Sequence, residues 1–271
     1  MSEPEVGSRR TPKGRWLSPN PDKAWAERAF LLGSLAWIAG VGAVILTGVL
    51  KSWGDTGYLL FSLAAAAPVT VAPLLLRPNG AKPLLESYFF KLSLFAFVLV
   101  FFGTYFGTHY FFDLMGMRYA FPTRLVFESD VVGKSGAHVP IFMYPLTQAY
   151  FVTYFTVLVV LDRGISSTLG LGRAGRAVLV LLLAYVIAFL ETLFMANDLM
   201  RDLFSYSNKP RMLWLGSIGY ALYFVVGLPA VREVDENESN WSAWRVFMQA
   251  LAASMAILIL LEAWAKLVGP L

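Results

Sequence analysis

The sequence predicts an all-α fold: a polytopic transmembrane helical bundle of about seven spans. Three observations predict it. Of the 271 residues, 57% are hydrophobic and only 15% carry charge. Mean hydropathy is +0.60, far above that of a soluble domain of this length. And the apolar residues fall in runs of about 18–25, the length an α-helix needs to cross a hydrocarbon core of ~30 Å.

The runs lie at about residues 30–50, 58–76, 88–112, 139–161, 177–197, 212–231 and 246–268. They divide the chain into a polar amino-terminal segment, 1–29, and a single transmembrane domain, 30–271. The segment up to Arg28 carries Arg9, Arg10, Lys13, Arg15 and Lys23 and has no apolar stretch of its own, so the first span is expected to be a retained anchor. The second span contains Pro68 and Pro73 and should be kinked. The fourth begins irregularly, with Pro140, Pro145, Thr147 and Gln148, and has the weakest signal of the seven. No internal repeat is evident. Lys and Arg favour the amino-terminal side and the loops after spans two, four and six, which predicts a cytoplasmic amino terminus.

Composition also excludes chemistry. There is no cysteine and there are two histidines, which rules out disulfides, Fe–S clusters, a thiol nucleophile and a histidine-rich di-iron site. No HExxH, glycine-rich phosphate loop or GxSxG occurs. No metal and no cofactor is implied. The net charge of +4 is spread through the loops, which suits an anionic lipid surface and offers no nucleic-acid patch.

An ionisable side chain inside a span is costly and marks a functional site by default. Two such residues stand out, His109 in Thr108-His109-Tyr110-Phe111-Phe112 and Glu191 in Phe189-Leu190-Glu191-Thr192-Leu193. Spans three and five run in the same direction. His109 is about three residues and Glu191 about six from the ends of their spans, roughly 5 and 9 Å from one membrane face at 1.5 Å per residue. The pair could therefore meet. Phe102, Tyr105, His109, Phe112 and Asp113 recur at helical steps, as either an aromatic belt or an aromatic pocket with a polar end. Ala184 and Ala188 leave room beside Glu191, with Asp198 near the same face. Burial penalises a carboxylate, so Glu191 is expected to be neutral and able to donate a proton; a structural hydrogen bond is the plainer reading. On span six Gly216, Gly219, Tyr220, Tyr223 and Gly227 share a face, which reads first as close packing and second as a cavity wall. Glu86, Lys91, Glu262 and Lys266 read as interfacial or snorkelling.

Four blocks together resemble the cycloeucalenol cycloisomerase family of sterol synthesis. They are Arg15-Trp16-Leu17-Ser18-Pro19-Asn20-Pro21-Asp22-Lys23-Ala24-Trp25; Thr108 to Phe112 with Tyr119-Ala120-Phe121-Pro122; Ala188-Phe189-Leu190-Glu191-Thr192; and Gly216-Ser217 through Tyr220, Tyr223 and Pro229 to Asp235-Glu236. No single block is specific; their order and spacing are. The resemblance implies an isomerase that opens the 9β,19-cyclopropane of a membrane-dissolved sterol, by protonation at C19 and loss of the C8 hydrogen, with no cofactor. On that reading Glu191 is the acid and His109 its proton partner or the base at C8. Tyr105, Tyr110, Phe112, Asp113, Asp198, Tyr220 and Tyr223 then form the substrate-binding set. The chain departs from the family in longer stretches at 125–137 and 198–209, and in Gln148 where the family carries a histidine. The alternatives are a sterol or lipid carrier, a transporter, or another sterol double-bond isomerase. The expected location is a multi-pass position in a bacterial cytoplasmic or endoplasmic reticulum membrane. Oligomeric state is not legible in the sequence.

Overall fold

The computed structural model describes residues 14–236 and 240–271. Arg9, Arg10 and Lys13 of the polar amino-terminal segment lie outside them. Among the described residues seven helices are long and apolar enough to cross a membrane: α1 Pro21–Thr47, α2 Asp55–Leu75, α3 Tyr88–Asp113, α4 Met143–Leu169, α5 Arg173–Met195, α6 Lys209–Glu233 and α7 Ala243–Leu267. The first helix starts at Pro21, earlier than hydropathy alone suggests. Its start is set by Asn20, whose side chain caps the Asp22 N–H at 3.0 Å, and by Pro21 at the first helical position. Pro68 and Pro73 both lie inside α2.

Helix α4, the weakest span by composition, is the hub of the bundle. It packs against α1, α2, α3, α5 and α6. Its polar residues face protein, not lipid: the Thr153 hydroxyl takes a hydrogen bond from Trp37 Nε1 at 2.9 Å and pairs with Ser34 at 2.7 Å. Helix α5 sits at the periphery and leans mainly on α6.

Two features interrupt this helical plan at the far face, where α3, α5 and α7 end. One is a pair of π-helical turns, Gly103–Gly107 in α3 and Met212–Gly216 in α6. The other is a two-stranded antiparallel sheet, β1 Met117–Tyr119 and β2 Phe204–Tyr206, which joins the α3–α4 and α5–α6 loops in the register Met117–Tyr206 and Tyr119–Phe204. Backbone bonds Ala120 N–Leu203 O (2.9 Å) and Ser207 N–Gly116 O (2.8 Å) extend it. The two long loops thus form one lid.

The near face, where the amino-terminal segment enters α1, holds a buried ionic clamp. Arg163 of α4 reaches Glu27 at 2.7 Å, Glu236 at 2.6 Å and the Trp16 carbonyl at 2.7 Å. Lys23 donates to the Arg232 and Val234 carbonyls at the end of α6 (2.9 and 2.7 Å) and pairs with Glu236 at 2.9 Å. Lys91 corrects the snorkelling expectation: it is fully buried, 2.6 Å from the equally buried Asp235 and 2.8 Å from Asn240. A lysine snorkels only when nothing nearby meets its charge, and here the α6–α7 loop folds inward to meet it. Glu86 is exposed, as expected.

Candidate functional site

Under the lid lies a cavity whose empty space, counted with its open mouth, is about 690 Å³. Its wall is built from five places. Val100, Gly103, Thr104, Thr108 and Phe111 come from α3; Met143, Thr147, Tyr150 and Phe151 from α4; Glu191, Thr192 and Met195 from α5; Tyr220 and Tyr223 from α6. Met117, Tyr119, Phe204 and Tyr206 of the lid close the top. The wall holds one carboxyl, Glu191, and no lysine or arginine.

Glu191 is held by tyrosines. The Tyr220 hydroxyl donates to Glu191 Oε2, and the Tyr154 hydroxyl faces the same carboxyl. No cation lies within ion-pair distance of it among the described residues. Phenol donors stabilise a carboxylate without permanently neutralising it, so this group can cycle between acid and anion. In the lid, burial and then the neighbouring Glu191 hold the Tyr119 phenol well above its usual range, and burial does the same for Tyr206. Both stay neutral, able to donate hydrogen bonds but not to act as bases.

The aromatic wall is tightly ordered. Phe111 meets Tyr220 edge-on at 5.2 Å, and Tyr220 meets Tyr223 edge-on at 5.9 Å. Tyr223 fits against the π-turn because glycines are there: a Cβ on Gly107 would come within 2.2 Å of its hydroxyl, and one on Gly103 within 3.0 Å of its ring. Both sequence readings of α6 therefore hold at once. Gly227 packs on the Phe155 ring, while Tyr220 and Tyr223 turn to the cavity.

The structure brings together three of the sequence-selected residues, Glu191, Tyr220 and Tyr223, and places the others elsewhere. His109 is buried behind the wall, 5% exposed, with neither ring nitrogen hydrogen-bonded. It meets Phe112 edge-on at 5.8 Å and lies against Gly133 of the lid loop, where φ is +110° and a Cβ would sit 2.3 Å from Nδ1. Phe112 is buried against Tyr119 at 5.1 Å. Tyr105 stacks on Phe101 at 5.3 Å and touches Phe127 of the lid loop at 5.1 Å. Asp113 caps the Lys134 N–H at 2.7 Å. Tyr110 donates to Glu262 of α7 at 2.5 Å, giving Glu262 a partner that spacing did not suggest. Asp198 is exposed at the start of a short 3₁₀ turn.

Helical spacing accounts for this partition. At about 100° per residue Val100, Gly103, Thr104, Thr108 and Phe111 fall on one side of α3, and His109 falls on the opposite side with Phe102, Tyr105 and Phe112. Sequence periodicity missed the other wall residues, Thr104, Thr147, Tyr119, Tyr150, Thr192 and Tyr206 among the polar ones. For Tyr119 and Thr192 a signal existed, since both lie in the blocks that carry the family resemblance.

No protein-family model and no solved structure matches the chain. Among curated proteins, cycloeucalenol cycloisomerase of Arabidopsis thaliana is 32% identical over 265 residues, covering 94% of this chain and 90% of the plant protein. The similarity thus runs over nearly the whole chain and is not confined to one motif. The chain belongs to the cycloeucalenol cycloisomerase family, and by that membership it is a multi-pass membrane isomerase.

Proposed function

We propose that the protein opens the 9β,19-cyclopropane ring of a membrane-dissolved cyclopropyl sterol, of the cycloeucalenol type, to the C8=C9 olefin. The observation that carries this reading is Glu191: the one carboxyl on the wall of an aromatic cavity, held by a phenol and lacking a counter-cation. The Glu191 acid gives its proton to C19. The electron pair of the C9–C19 bond forms the new C–H bond, which leaves a methyl at C10, positive charge at C9 and a carboxylate at Glu191. The C8–H bond pair then forms C8=C9, and that proton returns to the Glu191 carboxylate. Protons balance, and no oxidant, reductant or external base is needed. The Tyr220 hydroxyl stabilises the transient carboxylate. The faces of Phe111, Phe151, Tyr220 and Tyr223 attract the transient cation. In this reading His109 supports the lid loop through Gly133 and does not touch substrate. The partners are the sterol and the bilayer, with no nucleic acid, and the amino terminus faces the cytoplasm.

The test is incubation of the purified protein with cycloeucalenol in D₂O, with products resolved by mass spectrometry and NMR. The expected product carries the C8=C9 double bond and deuterium in the new C19 methyl. Substrate deuterated at C8, in H₂O, should pass part of its label to the C19 methyl of later product molecules, because one carboxyl serves both steps. An unchanged ring with sterol bound would make the protein a carrier. Label absent from C19 in both experiments would rule out the carboxyl cycle.

A further inference from the structure

The apolar surface of this bundle does not stop where its helices do. In the α3–α4 loop Leu125, Val126, Phe127 and Ile141 are 42%, 43%, 45% and 38% exposed. These four side chains are neighbours. Val126 bridges Pro140 antiparallel, the Phe127 N–H donates to the Val139 carbonyl at 3.0 Å, and the Ile141 N–H donates to the Leu125 carbonyl at 2.9 Å. Residues 125–141 thus form a hairpin whose closed base carries an exposed apolar cluster. Such a cluster marks a surface that something covers.

Its position on α3 says what. The Phe127 ring packs on Tyr105 at 5.1 Å, on Tyr144 at 5.5 Å and on Phe101 at 6.4 Å. Phe101 and Tyr105 continue the helical row of Phe97, which is 62% exposed in mid-span and so faces lipid. At 1.5 Å per residue, Phe101 and Tyr105 lie roughly 20 and 26 Å along α3 from its start at Tyr88, inside a hydrocarbon core of ~30 Å. Asp113, roughly 38 Å along, lies outside it. Asp113 accepts the Lys134 N–H at 2.7 Å. The hairpin therefore stands on α3 with its tip at headgroup level and its base about 4–10 Å below the far boundary of the core.

We propose that residues 125–141 are an interfacial lipid anchor, with Leu125, Val126, Phe127 and Ile141 seated at the acyl boundary of the far leaflet. The partner is the phospholipid of that leaflet. The inferred depth matches the roughly 5–10 Å at which apolar faces of interfacial segments settle. The backbone meets the demand of that depth as well, since unpaired groups are costly there. The Phe127 carbonyl accepts from the Tyr144 hydroxyl at 2.8 Å, the Val139 N–H donates to Glu128 at 2.7 Å, and the Pro140 and Ile141 carbonyls accept from the first amides of α4 at 3.1 and 3.2 Å. Lipid thus holds the outer side of the lid, as the β1–β2 pairing holds the side over the cavity. The inference uses the membrane-spanning architecture alone and is independent of the ring-opening reading.

The chain has no cysteine, so single-cysteine variants carry one probe each. Val126→Cys and Ile141→Cys mark the base, Lys134→Cys the tip, and Asp202→Cys, a site 72% exposed in the other far-face loop, serves as the aqueous control. Each is labelled with bimane in phosphatidylcholine nanodiscs, at matched thermal stability, and quenched by a nitroxide on the lipid acyl chain or by aqueous iodide. The labels at 126 and 141 should be quenched several-fold more by the acyl nitroxide than by iodide, and those at 134 and 202 the reverse. Unmodified protein gives a second measurement: a phospholipid with a diazirine in its acyl chain should leave adducts on Leu125–Phe127 or Ile141. Iodide quenching at 126 and 141 equal to that at 202 would overturn the proposal and put the hairpin in water. Pyrene excimers at 126 and 141, with weak quenching by both agents, would overturn it in favour of a second copy of the chain. Should the cysteine variants fail to fold, absence of adducts from the wild-type hairpin overturns it alone.

Discussion

Replacing Glu191 with glutamine isolates the proton from everything else the residue does. The glutamine carbonyl can still accept from the Tyr220 hydroxyl, so the one hydrogen bond that orients the side chain survives. No lysine or arginine pairs with Glu191, so the substitution strands no opposite charge. Thermal stability should therefore be unchanged or slightly raised, since a desolvated carboxyl without a counter-ion is a cost that the amide avoids. Sterol affinity should hold as well, because the aromatic wall is untouched. What is lost is the donor. A positioned acid contributes about 10²–10⁴-fold, which is roughly 3–5 kcal/mol of barrier. We expect kcat to fall by that factor with KM changed less than about threefold. Initial rates of cyclopropane opening, followed by gas chromatography and mass spectrometry at matched protein stability, give both quantities. His109→Gln, measured in parallel, separates two mechanisms. If Glu191 works alone, His109→Gln should retain most turnover once the lid is shown to be folded. If the two act as a unit, both singles collapse and the double is little worse. Near-normal turnover by a folded Glu191→Gln would refute the whole assignment, because no other carboxyl reaches the cavity among the described residues.

Two further expectations concern the near face. Lys91→Met should lower stability by about 3–5 kcal/mol, because it leaves the fully buried Asp235 uncompensated. Adding Asp235→Leu should recover much of the loss, read as thermal unfolding in detergent. Acid should weaken the same clamp. Burial alone would push the Glu236 carboxyl up, but hydrogen bonds from Arg163 and the charges of Lys23 and Arg163 bring it below its ordinary value on balance. Its stabilisation is then complete above the usual glutamate range of about 4.3 and is lost as pH falls through the lower folded value. Unfolding temperature should drop below about pH 4.3 in wild type and be flatter with pH in Glu236→Gln.

The seven spans were legible because each is a long apolar run, a signal that survives almost any tertiary context. Their environment was less so. Helix α4 is the least apolar span, and with α6 it is one of the two most enclosed: Thr153 and Thr156 are satisfied inside the bundle, so the segment need not be as apolar as one facing lipid. The lid left no trace in the sequence. Its strands are three residues each and far apart in the chain, so neither has a pattern of its own and only their pairing defines them. Spacing put Tyr220 on a candidate cavity wall, and the structure adds that its hydroxyl donates to Glu191. His109 and Glu191 lie at one depth, but depth leaves direction around the helix open. At about 100° per residue His109 stands opposite the side of α3 that carries Thr104, Thr108 and Phe111.

The buried charges themselves show which reading of an intramembrane ion applies. Lys23 and Lys91 are fully buried and Arg163 is nearly so, yet each is matched by carboxylates or carbonyls at hydrogen-bonding distance. Removing one partner of such a pair is destabilising, and a proton gained or lost by one member alone would strand the opposite charge, so these groups serve as fasteners. Glu191 has phenols where the others have counter-ions. Hydrogen bonds from neutral donors can hold a carboxylate and can also relax around a carboxylic acid, so neither state is locked. The rule that a charge within a membrane marks function is thus too coarse for this chain. The sharper criterion is whether the charge has an opposite within reach, and by that criterion the near face holds the bundle together while the cavity under the lid is free to move a proton.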